Sequence, residues 1–521
     1  MLTGKNYIGY KQYGAGEYNF SVTAGCSFTE ATTAETERAA TVAAAAFDTY
    51  RNVDSKQKIS FLESLAMAIA TAKDELVKMA MQETSLTQPR LEGEVQRTIN
   101  QIKLFAALLK EGSWVKAIID TAQPERKPLP KPDIRQMQLP LGPVAVFGAS
   151  NFPFAFSVAG GDTIAAFAAG CTVVYKAHPA HPATSEMMAQ IVINSLEKCK
   201  MPEGVFSLLQ SKSNACSIEL VMHPLIKAVA FTGSFNGGKA LFDAACKREE
   251  PIPVYAEMGS VNPVFVLPGI MQKEGTAVAE KLAASNLLSA GQFCTNPGLI
   301  FSLQSDATEN FLTVFAATVM QANADNMLSE NICHNYNKGI KSLLIQKELK
   351  LKSYGKETNT GKGATPHMFQ TDAQAFLDNK ELWHEIFGPV SIHVVAKNIS
   401  ELYAVANAMQ GQLTAAVWAA EDDILISKKL VEQLQLKAGR VIFNNVPTGV
   451  EVTHAMVHGG PYPATTDTRS TSVGTGSVYR FTRPVCYQNF PQELLPSVLK
   501  NANSENIQRF VNGEISRSDL E

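Results

Sequence analysis

The chain has 521 residues, with 46 Lys and Arg against 49 Asp and Glu, for a net charge of -3. A balance so near neutral offers no field for a phosphate backbone, so nucleic acid is excluded as a partner. With 45% hydrophobic and 18% charged residues, 34 glycines and 25 prolines, the composition is that of a large α/β globule and excludes a disordered chain.

The 8 cysteines contain no CxxC pair, so no metal site and no disulfide framework is expected, and a reducing cytoplasm is the expected location. Met1 to Gly14 lacks the basic and apolar regions of a secretory leader. Residues 136–161 carry no charge, yet three prolines and several glycines interrupt them, and a lipid-facing helix would not tolerate those breakers.

From Glu30 to Glu111 the pattern is helical, with Ile59, Leu62, Ala66 and Ile69 on one stripe that Leu65 widens. Pro124 to Pro132, with four prolines among charged residues, predicts an exposed extended arm. Strand-like runs then follow at Val144–Phe147, Thr172–Lys176, Val205–Leu209, Ala228–Thr232 and Pro253–Glu257. They alternate with helical stretches near Ser157–Ala169, Ser185–Lys198, Ser213–Met222 and Gly237–Cys246. Alternation of this kind predicts a doubly wound parallel sheet. A second series, with strands at Val264–Leu267, Leu299–Leu303, Ser391–Val395, Ala415–Ala419 and Arg440–Asn444, predicts a second α/β domain. Thr471 to Cys486 is expected to pair with Ile134–Leu139 as an oligomerisation flap.

Four segments carry chemistry. Gly291-Gln292-Phe293-Cys294 sets a thiol beyond a helical run, where it is either a nucleophile or a small buried hydrophobe. Phe231-Thr232-Gly233-Ser234, followed by Gly237-Gly238, links a strand to a helix whose N-H groups are able to face a pyrophosphate; a plain tight turn is the alternative. Glu257 ends an apolar strand, where burial would raise its pKa and make it a base, unless it is an edge glutamate in a salt bridge. Asn151-Phe152-Pro153 places an amide in a fixed turn, suited to an oxyanion or simply to the turn.

Together these segments, with Glu385-Ile386-Phe387-Gly388-Pro389, resemble the aldehyde dehydrogenase superfamily over nearly the whole chain. The resemblance implies a dinucleotide-binding domain (residues 1–123 and 142–257) and a catalytic domain (258–468). It also implies a small β oligomerisation flap (124–141 and 469–490), a C-terminal tail (491–521), and a homodimer or homotetramer. It assigns Cys294 as nucleophile, Glu257 as base and Asn151 as oxyanion donor. Phe231, Gly233, Ser234 and Gly238 form the nucleotide loop, Lys176 holds the adenosine ribose, and Glu385 with Phe387 flanks the nicotinamide ribose. Phe152 and Phe293 are expected pocket walls. Two departures stand out: Ser150 where many members have Trp, and Ser260 in place of a second Gly after Glu257.

Within the superfamily, Ala177 to Pro182, Gly459 to Asp467 and Arg483 to Gln488 resemble the 2-oxoglutarate semialdehyde dehydrogenases, with bacterial long-chain fatty aldehyde dehydrogenases as the alternative. Arg469, Arg480 and Arg483 are the arginines considered for a substrate carboxylate, each with a surface or interface role as its plainer reading. Because no carboxylate follows Lys176 through His178 and Pro179, NADP is the expected cofactor, with NAD the other candidate and a protonated His178 an added positive charge. The rivals are a CoA-acylating enzyme, which would not need Glu257, and a cysteine hydrolase or structural protein, which would not need Lys176 and Glu385.

Overall fold

The computed structural model describes residues 2–16, 19–23, 26–358 and 360–520. Its N-terminal layer is four helices, Thr33–Tyr50, Ser55–Thr71, Lys73–Thr84 and Gln88–Glu111. A capping box at Thr32 and Glu35 opens the first, and Gly112, in the left-handed region, closes the last. Leu62, Leu65, Ala66 and Ile69 are buried as the stripe predicts.

The first sheet runs Val254–Glu257, Ala228–Thr232, Val144–Phe147, Val173–Lys176, Phe206–Leu209, then Asn6–Ile8 and Lys11–Tyr13. The five central strands are parallel, and the two N-terminal ones add antiparallel. Strand order reverses between Val144–Phe147, the first of the parallel strands in sequence, and Ala228–Thr232, the fourth. The crevice outside the carboxyl ends therefore opens there, between the loop after Phe147 and the loop after Thr232. Apolar residues cover both faces, as a parallel sheet requires.

The second sheet orders Lys350–Tyr354, His367–Asp372, Val390–Ala396, Leu299–Leu303, Val264–Val266, Gln412–Trp418 and Ala438–Phe443, all parallel except the first. Lys350–Tyr354 and His367–Asp372 were not anticipated: the former is largely exposed and Lys-rich, without the alternation that marks a half-buried strand.

A third sheet runs Thr482–Gln488, Ile134–Pro140, Ile118–Asp120, Arg509–Val511 and Glu514–Ser516. Thr482–Gln488 pairs antiparallel with Ile134–Pro140, Arg483 opposite Leu139. The strand starts later than Thr471, because the Thr471 and Ser472 hydroxyls bond loop carbonyls and a short 3-10 helix, Thr475–Phe481, intervenes. Residues 509–516 supply two strands of this sheet. Among the described residues no helix is long and apolar enough to cross a membrane.

Candidate active site

The helix Pro268–Leu287 ends in a tight reversal in which Ser289, Ala290 and Gly291 are all left-handed, and Cys294 follows at its exit. Non-glycine residues rarely hold that conformation, and such strain gathers at functional sites. A side chain at Gly291 would overlap the Gly388 carbonyl, so the loop after Glu385 and the loop before Cys294 touch backbone to backbone. Asn262 pins the far side, its amide donating to the Cys294 carbonyl at 2.8 Å and the Asn296 carbonyl at 3.0 Å. The departure at Ser260 has a function in this brace, since its hydroxyl bonds Asn262 and Gln412.

Glu257 ends its strand opposite Thr232. The segment after Pro461 lies along the outer edge of that strand: the Met258 N-H donates to the Ala464 carbonyl at 2.8 Å and the Thr466 N-H to the Ala256 carbonyl at 3.2 Å. His458 and Ser472 stand at the two ends of the loop that contains this segment. His458 Nε2 stands 2.9 Å from Glu257 Oε1 and 3.4 Å from Cys294 Sγ, and the Ser472 hydroxyl donates to Glu257 Oε2. Ligand atoms of Glu257, Cys294 and His458 all lie within 4.8 Å of one another. Asn151 is beside them, its side-chain amide donating to the Gln292 carbonyl at 3.1 Å. His458 and Ser472 were missed by sequence reasoning; the one signal was a histidine adjoining the Gly-Gly-Pro run.

Burial was expected to raise the Glu257 pKa. It does push that way, but the His458 imidazole and the His458, Ser472 and Cys294 contacts override it and hold the carboxyl below its ordinary value. Cys294 goes the other way: burial, then the Glu257 and Glu385 charges, lift its thiol well above the ordinary range, with Arg97 opposing. Without cofactor, then, the residue is a thiol.

On the other side of the crevice, Ser234 caps the helix Phe235–Cys246 by accepting the Gly237 N-H at 3.3 Å. Gly233 and Gly237 flank the Phe231 ring and Gly238 packs on Met258, contacts a Cβ would crowd. Lys176 ends its strand buried; burial lowers its pKa while Cys216 and Glu30 act to raise it. His178 accepts the Ala180 N-H and stacks on His181 at 5.4 Å. Burial, His181 and Lys176 hold its pKa well below the ordinary value, so His178 is neutral and supplies no positive charge, which corrects that expectation. Pro179 is half-buried beside it. Glu385 leans over Gly259; desolvation in the cleft raises its carboxyl pKa, with the Ser260 backbone opposing and the Glu257 charge adding to the rise. With Ile386, Phe387 and Gly388 it lines a small cleft against Ser260 and Gly291. A buried lysine, an open glycine-rich helix start and a carboxylate lining the small cleft suit a dinucleotide.

Behind Cys294 opens a cavity of about 570 Å³ lined by Phe152, Phe293, Phe156, Arg90, Arg97 and Arg440 among others. Phe152 and Phe293 meet edge to face at 5.7 Å, so both predicted walls are present together. The arginines weighed from the sequence are elsewhere: Arg469 is exposed beside Asp467, Arg480 is buried against Asp162, and Arg483 is exposed on the third sheet. Arg90 and Arg97 come from the helix Gln88–Glu111, whose amphipathic pattern gave no hint of a pocket.

Residues 19–469 match the model of the aldehyde dehydrogenase family. The chain is 46% identical over 495 residues to the alpha-ketoglutaric semialdehyde dehydrogenase of Acinetobacter baylyi, covering 95% of this chain and 94% of that one. It is 44% identical to alpha-ketoglutaric semialdehyde dehydrogenase 2 of Azospirillum brasilense, covering 94% and 93%. The fold superposes on betaine aldehyde dehydrogenase of Staphylococcus aureus in complex with NAD+, with a TM-score of 0.80, 17% identity and coverage of 94% and 96%. A thiol, a carboxylate and an amide meeting beside a nucleotide-type crevice, with a family match over most of the length, leave one assignment: this chain belongs to the aldehyde dehydrogenase family.

Proposed function

We propose that the protein oxidises 2,5-dioxopentanoate to 2-oxoglutarate, with a nicotinamide dinucleotide as oxidant. The convergence of Cys294, His458 and Glu257 beside Asn151 carries this reading. Cys294 adds to the aldehyde carbon as its proton passes to Glu257, which sheds it to solvent before the hydrolytic step, and the Asn151 amide steadies the oxyanion. A bound nicotinamide supplies the hydride acceptor that turns this adduct into a thioester. Glu257, kept ionised by His458 and Ser472, then takes a proton from water, whose oxygen attacks the thioester carbon and frees the Cys294 sulfur. Because Glu257 is poised for hydrolysis, transfer to CoA is not favoured. The relatives at 44% and 46% identity support the substrate, and NADH or NADPH absorbance at 340 nm with each aldehyde tests it. A kcat/KM for dodecanal above that for 2,5-dioxopentanoate would overturn the substrate; retained oxidation by Cys294→Ala would overturn the chemistry.

Lys176 would hold the adenosine ribose, the Gly233 to Gly238 turn the pyrophosphate, and Glu385 with Phe387 the nicotinamide ribose. NADP is the preferred dinucleotide, with NAD accepted. The support is the absence of a carboxylate from Ala177 to Pro182. Glu30, which acts on the Lys176 charge, is spent on the Ser211 hydroxyl and the amides of Lys212 and Ser213. Pro179→Glu is expected to raise KM for NADP far more than for NAD; equal effects would remove the 2'-phosphate from that position. The chain assembles as a homodimer or homotetramer, a reading supported by two open sheet edges, Thr482–Gln488 and Ala438–Phe443, the latter with Val441 and Phe443 exposed.

A further inference from the structure

The cavity behind Cys294 carries more positive charge than an aldehyde needs. Three guanidinium groups line it against two carboxylates, Glu94 and Glu451. Glu94 is already engaged, accepting the N-H groups of Phe154 and Ala155 at 2.8 and 3.0 Å, and Glu451 is exposed to water. The arginines are held in place by protein contacts that leave donors over. Arg90 lies over the rings of Phe152 and Phe293 at 5.1 and 4.9 Å, and Arg97 over Phe156 at 5.2 Å. Arg440 donates to the carbonyls of Gly449 and Pro447 at 2.9 and 2.6 Å. Arg90 Nη1, Arg97 Nη1 and Arg440 Nε are buried with no hydrogen-bond partner among the described residues. Those three nitrogens have almost no accessible surface, so it is the rest of each guanidinium that lines the cavity, and a stacked guanidinium presents its edge to a carboxylate.

Arg90 does a second thing. Its Nη2 donates to the Asn151 carbonyl at 2.7 Å, while Glu94, one turn on, holds the two amides just past Pro153. The helix Gln88–Glu111 thus grips the oxyanion turn from both sides.

We propose that Arg90, Arg97 and Arg440 seat the carboxylate of a short semialdehyde acid, and that Arg90 couples that seat to the position of Asn151. The seat rests on the semialdehyde reading above and names the residues that select this substrate class. Arg97 and Arg440 select by charge alone; Arg90 selects and also positions the oxyanion donor.

The test compares kcat/KM for 2,5-dioxopentanoate and for pentanal, a neutral aldehyde of equal carbon number, in wild type, Arg90→Met, Arg97→Met and Arg440→Met. Removing a buried partner of a charged group should lower the ratio of the two constants about thirtyfold or more in each variant, mainly through KM for the acid. Arg90→Met should in addition lower kcat for pentanal, because Asn151 loses its tether. Arg97→Lys should recover part of the ratio. If Arg97→Met and Arg440→Met lower both constants in step, these arginines serve the thiol and the seat is refuted.

A binding measurement on wild type covers the case of unstable variants: 2-oxoglutarate should slow iodoacetamide alkylation of Cys294 in a saturable way, and no protection at millimolar concentration refutes the seat. The two readings fail separately. Preference for dodecanal with protection by 2-oxoglutarate intact removes the substrate and keeps the anion seat; preference for 2,5-dioxopentanoate with unchanged ratios in the variants removes the seat alone.

Discussion

His458 faces the thiol and the carboxylate through one nitrogen, and its Nδ1 is buried with no partner among the described residues. Because His458 is what holds the Glu257 pKa down, His458→Gln leaves burial to dominate and the pKa rises. The acidic limb of steady-state turnover should then move to higher pH, and an unmoved limb would show that Glu257 is set by other groups. The opposite sign applies at the thiol. Glu257 raises the Cys294 pKa, so Glu257→Gln should lower it and speed iodoacetamide alkylation at pH 7. The same variant should keep a single burst of reduced cofactor while steady turnover collapses, since only hydrolysis needs the base. Cys294, Glu257 and Asn151 were singled out in the sequence because their segments resemble ordered motifs of the family; taken alone, each had a plain structural alternative. His458 was not, because its partners are 201 and 164 residues away along the chain, and nothing local marks a loop histidine as buried.

At the scale of elements, most parallel strands were legible as apolar runs buried on both faces, but His367–Asp372, inside the second sheet, was not, because polar residues break its run. The edge strands Lys350–Tyr354 and Lys11–Tyr13 were not, since an edge buries little and needs no apolar alternation. The reversal at Ser289 to Gly291 was also hidden: serine and alanine give no sign of left-handed backbone, which tertiary contacts impose. Gly291 has no such latitude. Gly291→Ala adds a Cβ onto the Gly388 carbonyl at a φ of 65°, and backbone strain of this kind costs about 1–3 kcal/mol. The expected result is a lower Tm with turnover reduced further than stability, because Cys294 and the Glu385 loop shift together. A normal kcat would mean the two loops move independently.

For the whole molecule, the third sheet joins segments separated by hundreds of residues, and its register could not be read from short, mixed strands. Its last two strands cover Ile119 on the parallel edge, and the buried Arg509 bonds the carbonyls of Lys500, Asn501 and Ser518. Removing residues 505–521 uncovers Ile119 and Leu499 and takes away that cross-link. The shortened protein should show a lower Tm and a larger soluble-aggregate fraction by light scattering; an unchanged Tm would make these strands dispensable.

The amides that tie residues 464–466 to the edge of Val254–Glu257 lie between the half of the chain carrying the nucleotide crevice and the half carrying Cys294. Met258 and Thr466 give up their protons to solvent deuterium only when that seam parts, so their exchange rates clock the separation of the two halves. Each parting also draws His458 and Ser472 away from Glu257, which makes a breathing motion of the whole enzyme and the readiness of its water-activating carboxylate a single event.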